Sequence, residues 1–328
     1  MDLITSLLRS MPGAISLGLI WGIMAIGVYI TYKILDVADL TVDGSICTGA
    51  CVCAILAVNG VNIWVAVIAA VVAGMLTGLI TGFFHTVLGI PAILSGILTQ
   101  LMLWSINLKI LGKANLGINA RVLKVIVTQL DKNKAIMTLI GFAAVVIILL
   151  YCFFGTELGC SLRATGCNQN MSHAQGINNK FNKILGLVLS NGLVALSGAL
   201  LAQYQGFADI NMGRGAIVIG LAAVIIGDAI FSHISINFAI RLAGVTLGGV
   251  IYYIVYQLVV WLGLDPELLK MLSALVVAIF LAIPYVKSAY FSYTPQFKAE
   301  RKIRKVNARL AKKEAALAKK AAKKGGKA

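Results

Sequence analysis

Two short apolar stretches of the chain, residues 44–58 and 215–231, carry charged residues at or near their starts. A charge at membrane depth costs about 2.5 to 3.5 kcal/mol on insertion scales, so charges in such places point first to function. The alternative is structural: polar side chains cap the free N–H groups where a helix starts. Either role requires hydrogen bonding or ion pairing. The candidates are Asp39, Thr41, Asp43, Gly44, Ser45, Asp209, Arg214 and Asp228.

The sequence contains no arrangement of side chains that is typical of an enzyme or a metal site. The histidines stand alone in separate segments, and the six cysteines match no zinc ligand spacing. Gly-x-Ser-x-Gly, His-Glu-x-x-His and the phosphate-binding Gly-x4-Gly-Lys-Ser/Thr pattern are all absent from the sequence. We therefore expect no catalytic residue, no bound metal and no cofactor on this chain. Its energy must come from an ion gradient or from a separate subunit.

The composition indicates whether these residues lie in water or in a membrane. Of the 328 residues, 59% are hydrophobic and only 12% are charged, and the mean hydropathy is +0.92. Soluble domains carry about 25% charged residues, so this chain lacks the polar surface that a water-soluble globule needs. The composition indicates an integral membrane protein and excludes a disordered chain or a small disulfide-linked secreted domain.

The formal charge of +16 is concentrated at the C-terminus. Residues 287–328 hold fourteen Lys or Arg against two Glu, a net charge of +12. No aromatic residue follows Phe297, so the lysines beyond it have no interleaved ring on which a nucleic-acid base could stack. We therefore expect a basic tail, 287–328, that contacts anionic lipid, and no nucleic-acid partner.

We predict an all-α polytopic membrane protein with a transmembrane domain over residues 1–286. A spanning helix needs about 20 mostly apolar residues, because lipid offers the backbone no hydrogen-bond partners. The two short stretches bring the expected number of spans to eight or nine. The full-length spans are predicted near 15–34, 61–84, 90–110, 136–154, 184–204, 236–262 and 268–286.

Lys and Arg near the helix ends predict the orientation. The basic tail places the C-terminus in the cytoplasm, and counting spans backwards places the polar segment 155–183 there too. Segment 109–135 then lies outside although it is itself basic, which is the one conflict in this assignment.

The two halves of the chain resemble each other. The sequence Asp-Leu-Thr-Val-Asp-Gly at 39–44 is similar to Asp-Ile-Asn-Met-Gly-Arg at 209–214, and an apolar helix follows each. Leu-Gly-Leu-Ile at 17–20 likewise matches Leu-Gly-Leu-Val at 185–188. Five spans separate equivalent helices, so the halves would be inverted repeats with short broken helices, as in many transporters. The alternative is chance similarity between Gly-rich and Leu-rich helices.

The polar segment 155–183 is too long for a simple turn, and we predict within it a short helix parallel to the membrane. It resembles the cytoplasmic coupling loop of bacterial ABC importer permeases of the branched-chain amino acid and ribose type, with the pattern L-G-x-x-x-R-A-x-G-x-N-x-x-x-A-x-x-x-G-I-N. Further resemblance extends over about residues 15–285, but it departs at Asp228 and in the tail. The loop residues that carry it are Leu158, Gly159, Arg163, Ala164, Gly166, Asn168, Ala174, Gly176, Ile177 and Asn178.

The resemblance implies an inner-membrane permease that brings a small polar solute, an amino acid by preference, into a bacterial cell. It implies four kinds of partner: two ATPase subunits that bind ATP and magnesium, a second permease copy (a homodimer) or a paralogue, an external solute-binding protein, and the lipid bilayer. Arg163 is the expected docking contact, or else a lipid-surface anchor, and Gly166 and Gly176 are expected to shape turns. Sugar or nucleoside permeases and a gradient-driven secondary transporter or channel stay open as alternatives.

Overall fold

The computed structural model describes residues 2–119, 123, 125–231 and 237–261 and single positions between 271 and 282. It is mostly helical, with a π-helical segment Ile30–Ile34 that directly follows the first α-helix. The α-helices are α1 Asp2–Tyr29, α2 Val42–Val58, α3 Ile63–Thr86, α4 Ala92–Leu111, α5 Lys132–Phe154, α6 Glu157–Cys167, α7 Gln169–Ala174, α8 Asn179–Gln205, α9 Ala216–Phe231 and α10 Phe238–Trp261. The strands are β1 Asn115–Gly117 and β2 Phe207–Asp209.

Six of these helices are long and apolar enough to cross a membrane: α1 with its π-helical extension, α3, α4, α5, α8 and α10. The helices α2 and α9 are apolar but shorter, with 17 and 16 residues, as the two short stretches predict. The predicted start of α8 at 184 was five residues late, because its first turn is polar and capped by Asn178. The predicted span 268–286 and the tail 287–328 lie outside the fully described residues.

The bundle has two distinct ends. At one end, β1 pairs antiparallel with β2, which joins the connection after α4 to the connection after α8; we call this the sheet end. At the other end, α6 and α7 contact the start of α8, and Gly166 of α6 packs against the carbonyl of Ile34; we call this the α6–α7 end. Segments 109–119 and 155–178 therefore lie at opposite ends of the bundle.

Small residues allow the helices to approach closely. A Cβ on Gly74 of α3 would overlap Ala195 and the carbonyl of Asn191 on α8, and a Cβ on Gly18 of α1 would lie 2.6 Å from the Cα of Val250 on α10. Lipid provides no hydrophobic drive for helix association, so close backbone packing is what holds such helices together.

We predict that Gly74→Ala destabilises the protein, because the added methyl group has no space between α3 and α8. Overpacking of this kind costs about 1 to 3 kcal/mol. The thermal unfolding midpoint of the purified protein in detergent should fall. Gly141→Ala is the matched control, because Gly141 on α5 has no atom within 4 Å of its missing Cβ. Equal midpoints for the two variants would contradict the packing argument.

Candidate functional site

The two short helices meet at one carboxylate. Asp43, in the first turn of α2, accepts hydrogen bonds from the backbone N–H of Gly215 and of Ile217, each at 2.9 Å. These N–H groups belong to the start of α9, which has no preceding turn to satisfy them. The sequence predicted a cap at the start of α2, but Asp43 caps the opposite helix, and the side chain of Thr41 at the α2 N-cap makes no capping hydrogen bond.

Gly213 makes this meeting possible. A Cβ at Gly213 would overlap the carbonyl oxygen of Asp43 and approach Ile46, so only glycine lets the chain pass so close to α2. Its N–H donates to the Sγ of Cys47 at 3.1 Å. Cys47 is buried and packs as a small side chain, as its apolar surroundings in the sequence indicate.

A buried polar network holds the chain before α2. The carboxylate of Asp39 is 3% exposed and accepts from the N–H of Thr41 at 2.9 Å and from Nδ2 of Asn191 at 2.7 Å. The hydroxyl of Ser45 donates to Oδ1 of Asn191 at 2.6 Å. Sequence reasoning missed Asn191, although a polar residue in the middle of a predicted span was the available signal.

Hydroxyl groups continue the network into the next two helices. The Oγ1 of Thr81 on α3 lies 2.7 Å from that of Thr41 and 3.0 Å from that of Thr99 on α4. The Oγ of Ser45 lies 2.7 Å from Oγ1 of Thr77. Since each of these groups has a partner, the polar residues before and within α2 stabilise the packed bundle.

A cavity of about 310 Å³ lies between α2, α4 and the loop after β2. Asp43 and Gly44 line it from the first half of the chain and Arg214 from the second, and Gln100, Trp104 and Asn107 of α4 complete its polar and aromatic lining. The structure therefore brings together three of the predicted site residues around one cavity. Sequence reasoning missed the α4 residues, because α4 reads as an ordinary span.

The structure keeps two of the predicted acidic residues away from the cavity lining. Asp209 accepts from the N–H of Asn211 at 2.6 Å, in the turn after β2. Asp228 lies near the opposite end of α9, where its carboxylate pairs with Nζ of Lys33 at 3.0 Å. Within the described part of the chain, no three His, Cys, Asp or Glu side chains are grouped as a metal site requires.

The predicted coupling segment is helical over most of its length. The structure forms two helices where one was predicted, α6 and α7, separated by Asn168, whose side chain accepts from the N–H groups of Asn170 and Met171. Gly176 has φ +81° and ends the second helix in a turn, as predicted. Gly166 does not shape a turn: it lies within α6 and packs on the chain after α1.

The remaining residues of the predicted motif serve α6, α7 and the start of α8. The Ala164 carbonyl accepts from Asn168 N–H at 3.0 Å, and Ile177 N–H donates to the Ser172 carbonyl at 3.0 Å. Asn178 caps α8, and Ala174 is an exposed residue at the end of α7.

Arg163 packs within the protein. Its guanidinium lies 4.3 Å from the ring centroid of Phe238 on α10 and 5.1 Å from that of Phe154 on α5. Such cation–π contacts favour the planar guanidinium. Arg163 therefore fastens α6 to the ends of two spans, and the exposed apolar side chains nearby are Leu158, Met171 and Phe181.

Comparison with known proteins identifies the family. A sequence profile described as "Branched-chain amino acid transport system / permease component" matches residues 11–281. The chain belongs to this permease family. The permease is 41% identical over 275 residues to a "Tyrosine transport system permease protein" of Clostridioides difficile (strain R20291), covering 83% of this chain and 91% of that protein.

A second relative carries no functional name. The permease is 36% identical over 266 residues to an uncharacterized protein of Rickettsia prowazekii (strain Madrid E), covering 80% of this chain and 93% of that protein. No solved structure matches the permease significantly. The family and the six long apolar helices together make it a multi-pass membrane protein and the permease component of a transport system.

We predict that Asp43→Asn destabilises the permease. An amide keeps one acceptor oxygen, so the N–H of either Gly215 or Ile217 would face an NH₂ group instead of an acceptor. The bond from Ile217 is partly buried and the bond from Gly215 is exposed, so losing one of them should cost about 1 kcal/mol. The expected result is a lower thermal unfolding midpoint in detergent.

The control is Asp36→Asn, which makes the same chemical change at an exposed residue near the α6–α7 end. Asp36 has φ 56°, a backbone conformation that asparagine adopts readily. If the two variants unfold at the same temperature, the link between α2 and α9 does not carry the stability assigned to it.

Proposed function

We propose that the permease is the membrane-spanning subunit of an ATP-driven ABC importer for an amino acid, with aromatic amino acids as the preferred class. The name of the C. difficile relative supports tyrosine-like substrates. Sugars and nucleosides are the alternative substrates within the same kind of importer.

The observation that carries the proposal is the meeting of the two short helices, α2 and α9, at Asp43. Broken helices that meet near the middle of a membrane, beside a cavity, are the arrangement by which transporters expose polar groups to a solute. The cavity lies beside this meeting point and extends towards the sheet end, so it would be filled from the side opposite to α6 and α7.

The packing of the two halves supports an inverted repeat. Helix α1 packs along α10, and its proposed equivalent α8 packs along α3, the proposed equivalent of α10. Helix α2 starts inside the bundle and leads to the sheet end, whereas α9 starts beside it and leads to the α6–α7 end, where Asp228 meets Lys33. If the two halves share one fold and have opposite orientations, both the matching helix pairs and the opposite directions of α2 and α9 are expected.

The α6–α7 end is the proposed docking site for the ATPase. Helix α6 contacts the chain after α1 through Gly166, α5 and α10 through Arg163, and α8 through the hydrogen bond from Nδ2 of Asn182 to Thr165 at 2.8 Å. A displacement of α6 would therefore reach several spans together. Seven residues lie between Ile34 and the start of α2, so the same displacement would act on the short helix beside the cavity.

The other parts of the importer follow from this arrangement. ATP and magnesium bind to the two partner ATPase subunits, and an external solute-binding protein delivers the solute at the sheet end. A second permease copy, or a paralogue, completes the membrane unit. The α6–α7 end and the C-terminus then face the bacterial cytoplasm, and the basic tail contacts the anionic inner leaflet.

Uptake measurements test the proposal. The permease is reconstituted in proteoliposomes with its ATPase and binding protein, identified by crosslinking and co-purification from the native membrane, and supplied with radiolabelled tyrosine, tryptophan, leucine or ribose. We expect amino-acid uptake only when ATP is present on the ATPase side. Uptake by the permease alone under an ion gradient would instead identify a secondary transporter, and ATP-driven uptake of ribose alone would identify a sugar importer.

We predict that Met171→Glu weakens ATPase association at least tenfold, because Met171 is 60% exposed on α7 and a charge there would disfavour an apolar docking contact. Association is measured by co-purification and by the stimulated ATPase rate. Leu130→Glu is the matched control. Leu130 is 61% exposed and follows β1 in the chain, at the sheet end. Equal association of the two variants would place the ATPase elsewhere.

A further inference from the structure

Two buried side-chain polar atoms in the described part of the permease have no hydrogen-bond partner: Nε of Arg241 on α10 and Oδ1 of Asn107, which lies beside the cavity. The Oδ1 of Asn107 on α4 accepts no hydrogen bond within the described part of the chain, although the residue is only 1% exposed. An unsatisfied buried acceptor costs about 1 to 3 kcal/mol, so natural structures rarely retain one without a purpose. Asn107 lines the cavity beside Asp43, which places this acceptor where a bound donor would satisfy it.

The two charged residues of the cavity retain bonding capacity as well. Asp43 uses each carboxylate oxygen once, for Gly215 and Ile217, and a carboxylate offers about four acceptor positions. Within the described residues, Arg214 forms no ion pair. The cavity thus presents two acceptor groups, on Asp43 and Asn107, together with a guanidinium on Arg214.

Apart from the amide of Gln100, the rest of the lining is mostly apolar or aromatic. Leu101, Trp104 and Ile210 contribute it, and Trp104 is 44% exposed on α4. Small-molecule sites have volumes of about 300 to 1,000 Å³, so this cavity is suited to a small ligand. Its chemistry combines acceptors for a cation, a donor for an anion and a flat aromatic face.

We propose that this cavity binds a free α-amino acid by its zwitterionic head group. Asp43 and Oδ1 of Asn107 accept from the α-ammonium, Arg214 pairs with the α-carboxylate, and Trp104 contacts the side chain. The site rests on the proposed function, because it gives that function a substrate contact on the permease itself. A sugar has neither charge, and a simple amine or carboxylate has only one, so the site would select against all three.

Direct binding to the purified full-length permease tests the site without the ATPase. L-[³H]tyrosine is the probe, with the permease in lipid nanodiscs and bound label measured by scintillation proximity. We expect saturable binding that L-phenylalanine displaces, but that tyramine, 3-(4-hydroxyphenyl)propionate and ribose do not. If tyramine or the propionate displaced labelled tyrosine as well as phenylalanine does, the site would not require both charges of the amino acid. Absence of saturable tyrosine binding would overturn the site.

Variants identify the contacts. Asn107→Ala should weaken tyrosine binding roughly tenfold, because it removes one hydrogen bond to a charged group. Asn107→Asp keeps an acceptor at the same place and should retain binding. The matched control is Asn59→Ala, an exposed amide at the end of α2. Arg214→Gln should weaken tyrosine binding, and Lys113→Gln, which removes an exposed cation after α4, should leave it unchanged.

Two outcomes separate this site from the proposed function. ATP-driven amino-acid uptake in the complete system, with tyrosine binding to the permease unchanged by both Asn107→Ala and Arg214→Gln, refutes the site alone. Tyrosine binding that depends on these residues, with no ATP-driven uptake, supports the site and refutes the importer. If a variant has a lower unfolding midpoint, its tyrosine binding is compared with that of Asn107→Asp, which retains the acceptor.

Discussion

The permease depends on one constraint: a backbone that breaks inside a lipid-embedded bundle must find partners for the N–H groups that the break leaves free. At the start of α9 these groups find the carboxylate of Asp43, a residue of the other short helix. The start of α9 therefore depends on α2. Gly213 permits the contact, because any larger residue would separate the two helices.

The same carboxylate also lines the cavity. It belongs to a satisfied cap on one side and to a cavity lining on the other, so a change in the position of α2 or α9 alters the cavity directly. Behind it, Asp39 and Asn191 tie the segment before α2 to α8. Polar groups in this region are thus divided between those that hold the break in place and those that face the cavity.

The α6–α7 end shows how a docking element can be joined to the spans. The planar guanidinium of Arg163 lies against two aromatic rings from different helices, and Gly166 lets α6 approach the chain that leads into α2. The residues that carry the family pattern therefore mostly fasten α6 and α7 to the bundle. In the proposed importer, exposed side chains such as Met171 would contact the ATPase, and the buried contacts of α6 would transmit its movement.

The sequence alone indicated the membrane environment, the all-α class, the positions of the short helices and the polar helical segment at the α6–α7 end. These features follow from the length of apolar runs and from local Gly, Asp and Asn signals, which act within a few residues. Tertiary structure alone decided which helix Asp43 caps, that Arg163 packs inward, and that Asn107 faces a cavity. The physical reason is distance along the chain: the bond from Gly215 to Asp43 joins residues 172 positions apart, and no local pattern specifies such a partner.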